Sequence, residues 1–300
     1  MRGWLLFAAM SLLWGVPYLF IKETVETFTP FAMVAGRTLG GALILLPFAL
    51  HRRALGPALA KWPWVLAFGA IEMAGPFLLL GHAEQQLPSG TTGLLVATVP
   101  LVAAIIAVVR GDRTVLKPLR MLGLVVGFAG VAVIVGGHGF AADPGDLLAV
   151  GEVLLVAVLY AIAPFIVATK LVGVPSLGSI TIALAAVGTF YLPFALLVPG
   201  EPPTARSILS LVGLAVLCTA VAFIAFFALI GEVGPARAPL FTYVNPVVAI
   251  ALGVLLLGEE LSVGLLAGFP LVIVGCWLAA TGGRLRQRRT IGIPEPTPPM

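Results

Sequence analysis

The chain has 300 residues, of which 60% are hydrophobic and only 10% charged, with a mean hydropathy of +1.12; a soluble domain carries about 25% charged residues. This excludes a soluble catalytic domain, since no polar segment is long enough to fold alone, and points to a polytopic membrane protein. The net charge of +4 sits at particular segment ends, without the aromatic interleaving of a nucleic-acid surface, so no nucleic acid is expected as a partner.

A helix needs about 20 apolar residues to cross the hydrocarbon of a bilayer. Charges, prolines and glycines divide the chain into ten such runs: 4–21, 31–50, 62–81, 88–109, 118–137, 146–168, 176–198, 207–230, 235–257 and 262–281. Arg2 and the first run imitate a signal peptide, but no small-residue cleavage site precedes Lys22, and the run reads as the first helix. Residues 284–300, RLRQRRT and a Pro-rich end, read as a basic juxtamembrane segment and a disordered tail.

Lys and Arg orient the spans. One side holds Arg2; Arg52, Arg53 and Lys61; Arg110, Arg113, Lys117 and Arg120; Lys170; Arg237; and Arg284, Arg286, Arg288 and Arg289. The other holds only Lys22 and Arg206, while Arg37 lies within a span. Both termini are therefore expected in the cytoplasm. Trp4, Trp62, Trp64 and Trp277 fall near cytoplasmic ends, as interfacial tryptophans do.

The chain repeats itself. At a shift of 146 positions, Leu46-Pro-Phe-Ala-Leu50 matches Leu192-Pro-Phe-Ala-Leu196, Phe77 meets Phe223, and Pro100 meets Pro246. At 145, Gly123 meets Gly268 and Gly130 meets Gly275. Pro100 and Pro246 each lie about twelve residues into an apolar run, where proline removes one intrahelical hydrogen bond and frees the carbonyl four residues back, here Val96 and Thr242. Lipid tolerates a freed carbonyl only where protein or a wet cavity satisfies it, and paired breaks in two halves point to a transport site. Five spans per unit is odd, so the second unit enters from the opposite face. The expected fold is an all-α integral membrane protein with ten transmembrane helices in two inverted five-helix repeats, 1–140 and 141–282, followed by a cytoplasmic tail, 283–300.

Trp14-Gly15, Pro100, Pro246, Leu257-Gly258-Glu259, Gly268 and Gly275, in this order and spacing, resemble the EamA type of the drug/metabolite transporter superfamily. The resemblance covers about residues 4–281. The first half departs from it, with Gly111-Asp112-Arg113 where the second has Gly258-Glu259. It implies export of small metabolites across a bacterial inner membrane, and within the family the chain looks most like exporters of aromatic and other hydrophobic amino acids. Drugs and other small metabolites are the alternative cargo.

Ionisable groups inside spans are functional candidates. Glu72 lies ten residues after Trp62, about 15 Å in at 1.5 Å per residue, and reads as a proton-coupling carboxylate, a ligand for a substrate ammonium, or a protonated structural acid. Arg37 either snorkels or binds a carboxylate. His82 and Glu84, at the outer end of the third span, read as a gate or proton entry, or as solvated rim residues; Glu152 carries a similar rim reading. Trp14, its counterpart Tyr160, and Tyr243 offer aromatic faces to an apolar or aromatic ligand, and Asn245 beside Pro246 offers an acceptor for an ammonium; ordinary helix packing is the alternative for each. With Glu72, Val96, Pro100, Thr242 and Pro246 they form the expected substrate site. Thr91 and Thr92 read as packing hydroxyls, Cys218 and Cys276 as small packing residues. Gly137-His-Gly-Phe-Ala-Ala142 formally matches a dinucleotide fingerprint but lacks the flanking strand and helix that motif needs. No catalytic residue, metal spacing, cofactor or ATPase subunit is expected; protons are compatible co-substrates, as is facilitated export. A membrane enzyme is the contrasting class, without a recognisable nucleophile or metal pair.

Overall fold

In the computed structural model, which describes residues 2–137, 144–233 and 238–282, helices account for nearly all regular structure. Arg237, the 138–142 part of the fingerprint match and the tail from 283 lie outside the described residues. Among these residues nine segments are long and apolar enough to cross a membrane: α1 (Arg2–Val25), α2 (Pro30–His51), α3 (Trp62–Ala83), α4 (Ser89–Val109), α5 (Pro118–Gly137), α6 (Gly145–Lys170), α7 (Ser176–Leu197), α8 (Ala205–Val233) and α10 (Val263–Thr281). The ninth apolar run yields a shorter helix, α9 (Phe241–Leu257), whose first residues belong to a 3-10 helix over Ala238–Tyr243. Pro239 takes an amide donor out of that stretch, whereas Pro246 falls in the first turn of the α-helical part, where proline is tolerated.

The helix starts show how the sequence positions each segment. Thr29 caps α2 by accepting from the Ala32 amide at 3.2 Å, Thr204 and Ser207 form a capping box on α8, and Ser262 accepts from the Leu265 amide at 3.0 Å. Helix α4 begins after Pro88, which supplies no side-chain cap. Its cap comes from across the bundle: Glu259 Oε1 accepts from the Ser89 amide at 2.7 Å, and Oε2 from Ser89 Oγ at 3.0 Å and the Gly90 amide at 3.2 Å. A carboxylate at a helix N-terminus meets both orphan N–H groups and the positive end of the dipole.

Packing is reciprocal. Helix α1 packs on α8 and α6 on α3; α2 packs on α8 and α7 on α3; α4 packs on α6 and α9 on α1; and α2–α7, α4–α9 and α5–α10 pair with each other. The α5–α10 contact is close because it is made of glycine. A Cβ on Gly275 would run into the backbone of Gly127, and one on Gly130 into the Val272 amide; small residues let helices in lipid approach this far. Gly36 and Gly40 likewise admit Leu211 and Ala215 of α8.

Five helices are irregular inside the bundle. Helix α1 is interrupted over residues 14–16 and restarts at Pro17. Helix α4 breaks at Ala97–Thr98 and restarts at Val99, and the α-helical part of α9 starts at Asn245. Helices α3 and α8 each contain a π-turn, Ala70–Ala74 and Val216–Val221.

Candidate functional site

The breaks differ from the expected kinks. Pro100 and Pro246 sit in the first turn of a restarted helix, where a missing amide hydrogen costs nothing. Side chains bond the main chain around the first break. Thr98 Oγ1 donates to the Leu95 carbonyl at 2.6 Å, and Cys276 of α10 donates its Sγ–H to the Ala97 carbonyl at 3.1 Å.

These irregular stretches enclose one cavity of about 350 Å³, in the size range of small-molecule sites. Trp14, Glu72, Val96, Pro100, Tyr160, Thr242, Tyr243, Asn245 and Pro246 all line it, and so does Arg37. Its wall is paired at the 146-residue shift: Trp14 with Tyr160, Glu72 with Cys218, Phe77 with Phe223, Val96 with Thr242, Ala97 with Tyr243, Val99 with Asn245, and Pro100 with Pro246. Trp14 is held in the gap of α1 by aromatic neighbours, with ring centroids 5.8 Å from Phe223, 5.0 Å from Phe226 and 5.4 Å from Phe241.

Arg37 does not snorkel. It is 5% exposed, its Nε donates to Thr219 Oγ1 at 3.1 Å, and its guanidinium lies 3.8 Å over the Phe77 ring. Thr219 is held in turn, donating to the Leu214 carbonyl at 2.8 Å inside the second π-turn. Glu72 stands on the first π-turn, with no hydrogen bond to any described residue. The same turn is tied to α7 by the Tyr191 hydroxyl, which donates to the Ala74 carbonyl at 3.2 Å. π-turns bulge a helix by one residue and recur at functional sites; here they aim Glu72 and Cys218 at the cavity.

His82 and Glu84 part company. His82 is half-exposed at the rim, its Nδ1 2.8 Å from Glu152 Oε2. Glu84 is 0% exposed, which overturns its reading as a solvated rim residue: the α3 terminus turns it inward, where neither side-chain oxygen has a hydrogen-bond partner among the described residues. Burial pushes its carboxyl well above the usual carboxylate range; Lys22 opposes the rise and Glu259 adds to it. Lys22 Nζ donates to the Glu84 carbonyl at 2.7 Å and the Leu87 carbonyl at 3.1 Å. Together with the Glu259 cap, these bonds tie α1, α3, α4 and α9 together at the end that the charge count assigns to the outside. Glu23 and Arg206 form an ion pair between α1 and α8 at the same end. Thr91 and Thr92 are buried in α4.

The chain matches the EamA-like transporter family over residues 1–136 and 144–281. It belongs to that family. Its EamA-like relatives are named as transporters. An uncharacterized inner membrane transporter of Escherichia coli (strain K12), YedA, is 31% identical over 260 residues, 85% of this chain and 82% of that protein. An uncharacterized transporter of Bacillus subtilis (strain 168), YvbV, is 27% identical over 98% of this chain and 96% of its own. A protein of Streptantibioticus cattleyicolor named a probable terminal-alkyne amino-acid exporter is 27% identical over 79% of this chain and 76% of its own. A solved crystal structure with 22% sequence identity shares the fold, with a TM-score of 0.64 over 93% of this EamA-like chain and 96% of that one.

Sequence reasoning missed Tyr18, Phe77, Phe223, Cys218 and Thr219 at or behind the cavity wall. A signal existed for three of them: Phe77 and Phe223 are identical at the repeat shift, and Cys218 is the counterpart of Glu72. Thr219 had none, because its role depends on an arginine 182 positions away.

Proposed function

We propose that this EamA-like transporter exports small hydrophobic or aromatic amino acids across the inner membrane, with both termini in the cytoplasm, by alternating access between two inverted five-helix repeats, 1–140 and 141–282. The observation that carries the reading is the cavity, whose wall takes counterpart residues from the two halves and combines aromatic rings with one guanidinium and one carboxyl. The reciprocal packing of the helices supports the repeat, since a binding site at the interface of two repeats is the usual arrangement in secondary transporters. Trp14, Phe77, Phe223 and the tyrosines suit an apolar or aromatic side chain. The relative named a probable terminal-alkyne amino-acid exporter and the one named an inner membrane transporter agree with cargo and membrane. The orientation rests on the distribution of Lys and Arg.

The test is flux of labelled phenylalanine, tryptophan, methionine or threonine into proteoliposomes holding the purified protein. Flux of at least one is expected; flux of none sinks the amino-acid reading. Trp14→Ala and Tyr243→Ala, in protein that still folds, are expected to lower it at least tenfold, and unchanged flux in both removes the cavity as the route.

A further inference from the structure

The cavity holds two charged side chains that do not neutralise each other. Arg37 and Glu72 both line it, yet no ion pair joins them. The Arg37 side chain is fixed from two sides, by the Thr219 hydroxyl on Nε and by the Phe77 ring beneath its plane. That leaves the terminal nitrogens, to which no described residue offers an acceptor. No described carboxylate is within ion-pair distance of Arg37; a buried guanidinium without an ion-pair partner is costly, and a planar fork is shaped for a carboxylate. On the other side, among the described residues Glu72 has no hydrogen-bond donor, and Asn245 Oδ1 is buried without a hydrogen-bond partner. Both are acceptors that want a cation with several N–H groups.

We infer that the cavity reads both ends of a free amino-acid zwitterion, with Arg37 taking the carboxylate, Glu72 and Asn245 taking the ammonium, and Trp14 and its aromatic neighbours taking the side chain. This rests on the proposed export of amino acids and narrows it: the cargo must carry both charged groups unblocked. An amine without a carboxylate leaves Arg37 unanswered, and a carboxylic acid without an amine leaves Glu72 and Asn245 unanswered. A site built on such partners rejects an analogue that lacks one far more strongly than it rejects a change of apolar shape.

The experiment is counterflow of labelled phenylalanine in proteoliposomes, competed by unlabelled phenylalanine, phenethylamine, 3-phenylpropionate and phenylalanine methyl ester. Phenylalanine is expected to compete at least tenfold better than each of the other three. Arg37→Gln is expected to weaken phenylalanine at least tenfold while leaving phenethylamine unchanged. Thr219→Val, which keeps the guanidinium but loosens it, is expected to fall between Arg37→Gln and the wild type. Equal competition by phenethylamine or the methyl ester in the wild type, where folding of a variant is not in question, overturns the inference and leaves amino-acid export standing. An Arg37→Gln protein that weakens both ligands alike also overturns it. Absence of phenylalanine counterflow in the wild type counts against the export reading itself, and the inference falls with it.

Discussion

The two π-turns lie at equivalent places in the two halves of the chain and carry opposite assignments. Ala70–Ala74 offers Glu72 to the cavity, whereas Val216–Val221 offers Cys218 and uses the next residue, Thr219, to hold Arg37. The same backbone device thus exposes an acid in one half and immobilises a base in the other. The breaks differ as well: Cys276 donates to the Ala97 carbonyl at the first, while at the second the Asn245 side-chain oxygen has no hydrogen-bond partner among the described residues. The main-chain irregularity recurs at the 146-residue shift, while the side chains it carries differ.

The two turns are expected to differ in stability. Removing the hydroxyl that holds Arg37, in Thr219→Val, leaves a buried charged donor without an acceptor and is expected to cost about 1–3 kcal/mol, read as a lower melting temperature in detergent. Glu72→Gln removes no hydrogen bond to a described residue and is expected to cost well under about 1 kcal/mol. The reverse ranking would mean that the first turn is the structural one.

Next in size is the capping pair. Glu259→Ala strips three donors at the start of α4 and is expected to destabilise by about 1–2 kcal/mol. Its counterpart at the repeat shift, the exposed Arg113, is expected to tolerate Arg113→Ala within about 0.5 kcal/mol. Parallel urea titrations of the two variants check the difference.

Glu84 makes the halves differ in their response to pH. Its counterpart in the second half is Ile230, so only the first half buries an acid there. The folded-state carboxyl is raised, so the native state holds its proton more tightly than the unfolded chain does. That acid therefore costs nothing below the unfolded carboxylate range, near pH 4, and an increasing amount as pH rises toward its raised value. Glu84→Gln is expected to be more stable than wild type at pH 8, with the gain shrinking toward zero at pH 4; a gain independent of pH would contradict the burial argument.

The smallest effect belongs to Cys276→Ala. A thiol is a weak donor, and its loss at the Ala97 carbonyl is expected to cost about 0.5 kcal/mol, with phenylalanine affinity in the counterflow assay within twofold of wild type.

Much of the site was legible beforehand because proline and aromatic residues announce themselves one at a time. Pro100 and Pro246 located the breaks, and Trp14 and Tyr160 were conspicuous as bulky side chains far from either interface. Other features carry no such mark. A π-turn is a shift of main-chain hydrogen bonds from i+4 to i+5, and Ala-Ile-Glu-Met-Ala reads like any apolar helix. Arg37 could have snorkelled with its long stem; what pulled it inward was a ring on α3 and a hydroxyl on α8. Glu84 looked like a rim residue because its neighbours in sequence are polar, while its neighbours in space are the ends of α1, α4 and α9.

The membrane-spanning character, the pattern of apolar runs and the breaks at Pro100 and Pro246 are readable from the chain because they follow from local chemistry: apolar length against bilayer thickness, and amide donors that proline removes. Only the tertiary structure decided which charges are buried, which carbonyls are capped and which side chains share the cavity. Those outcomes depend on contacts between residues far apart in the chain, such as Lys22 with Glu84 and Arg37 with Thr219, and in a chain where most residues are apolar, hydropathy does not distinguish one partner from another.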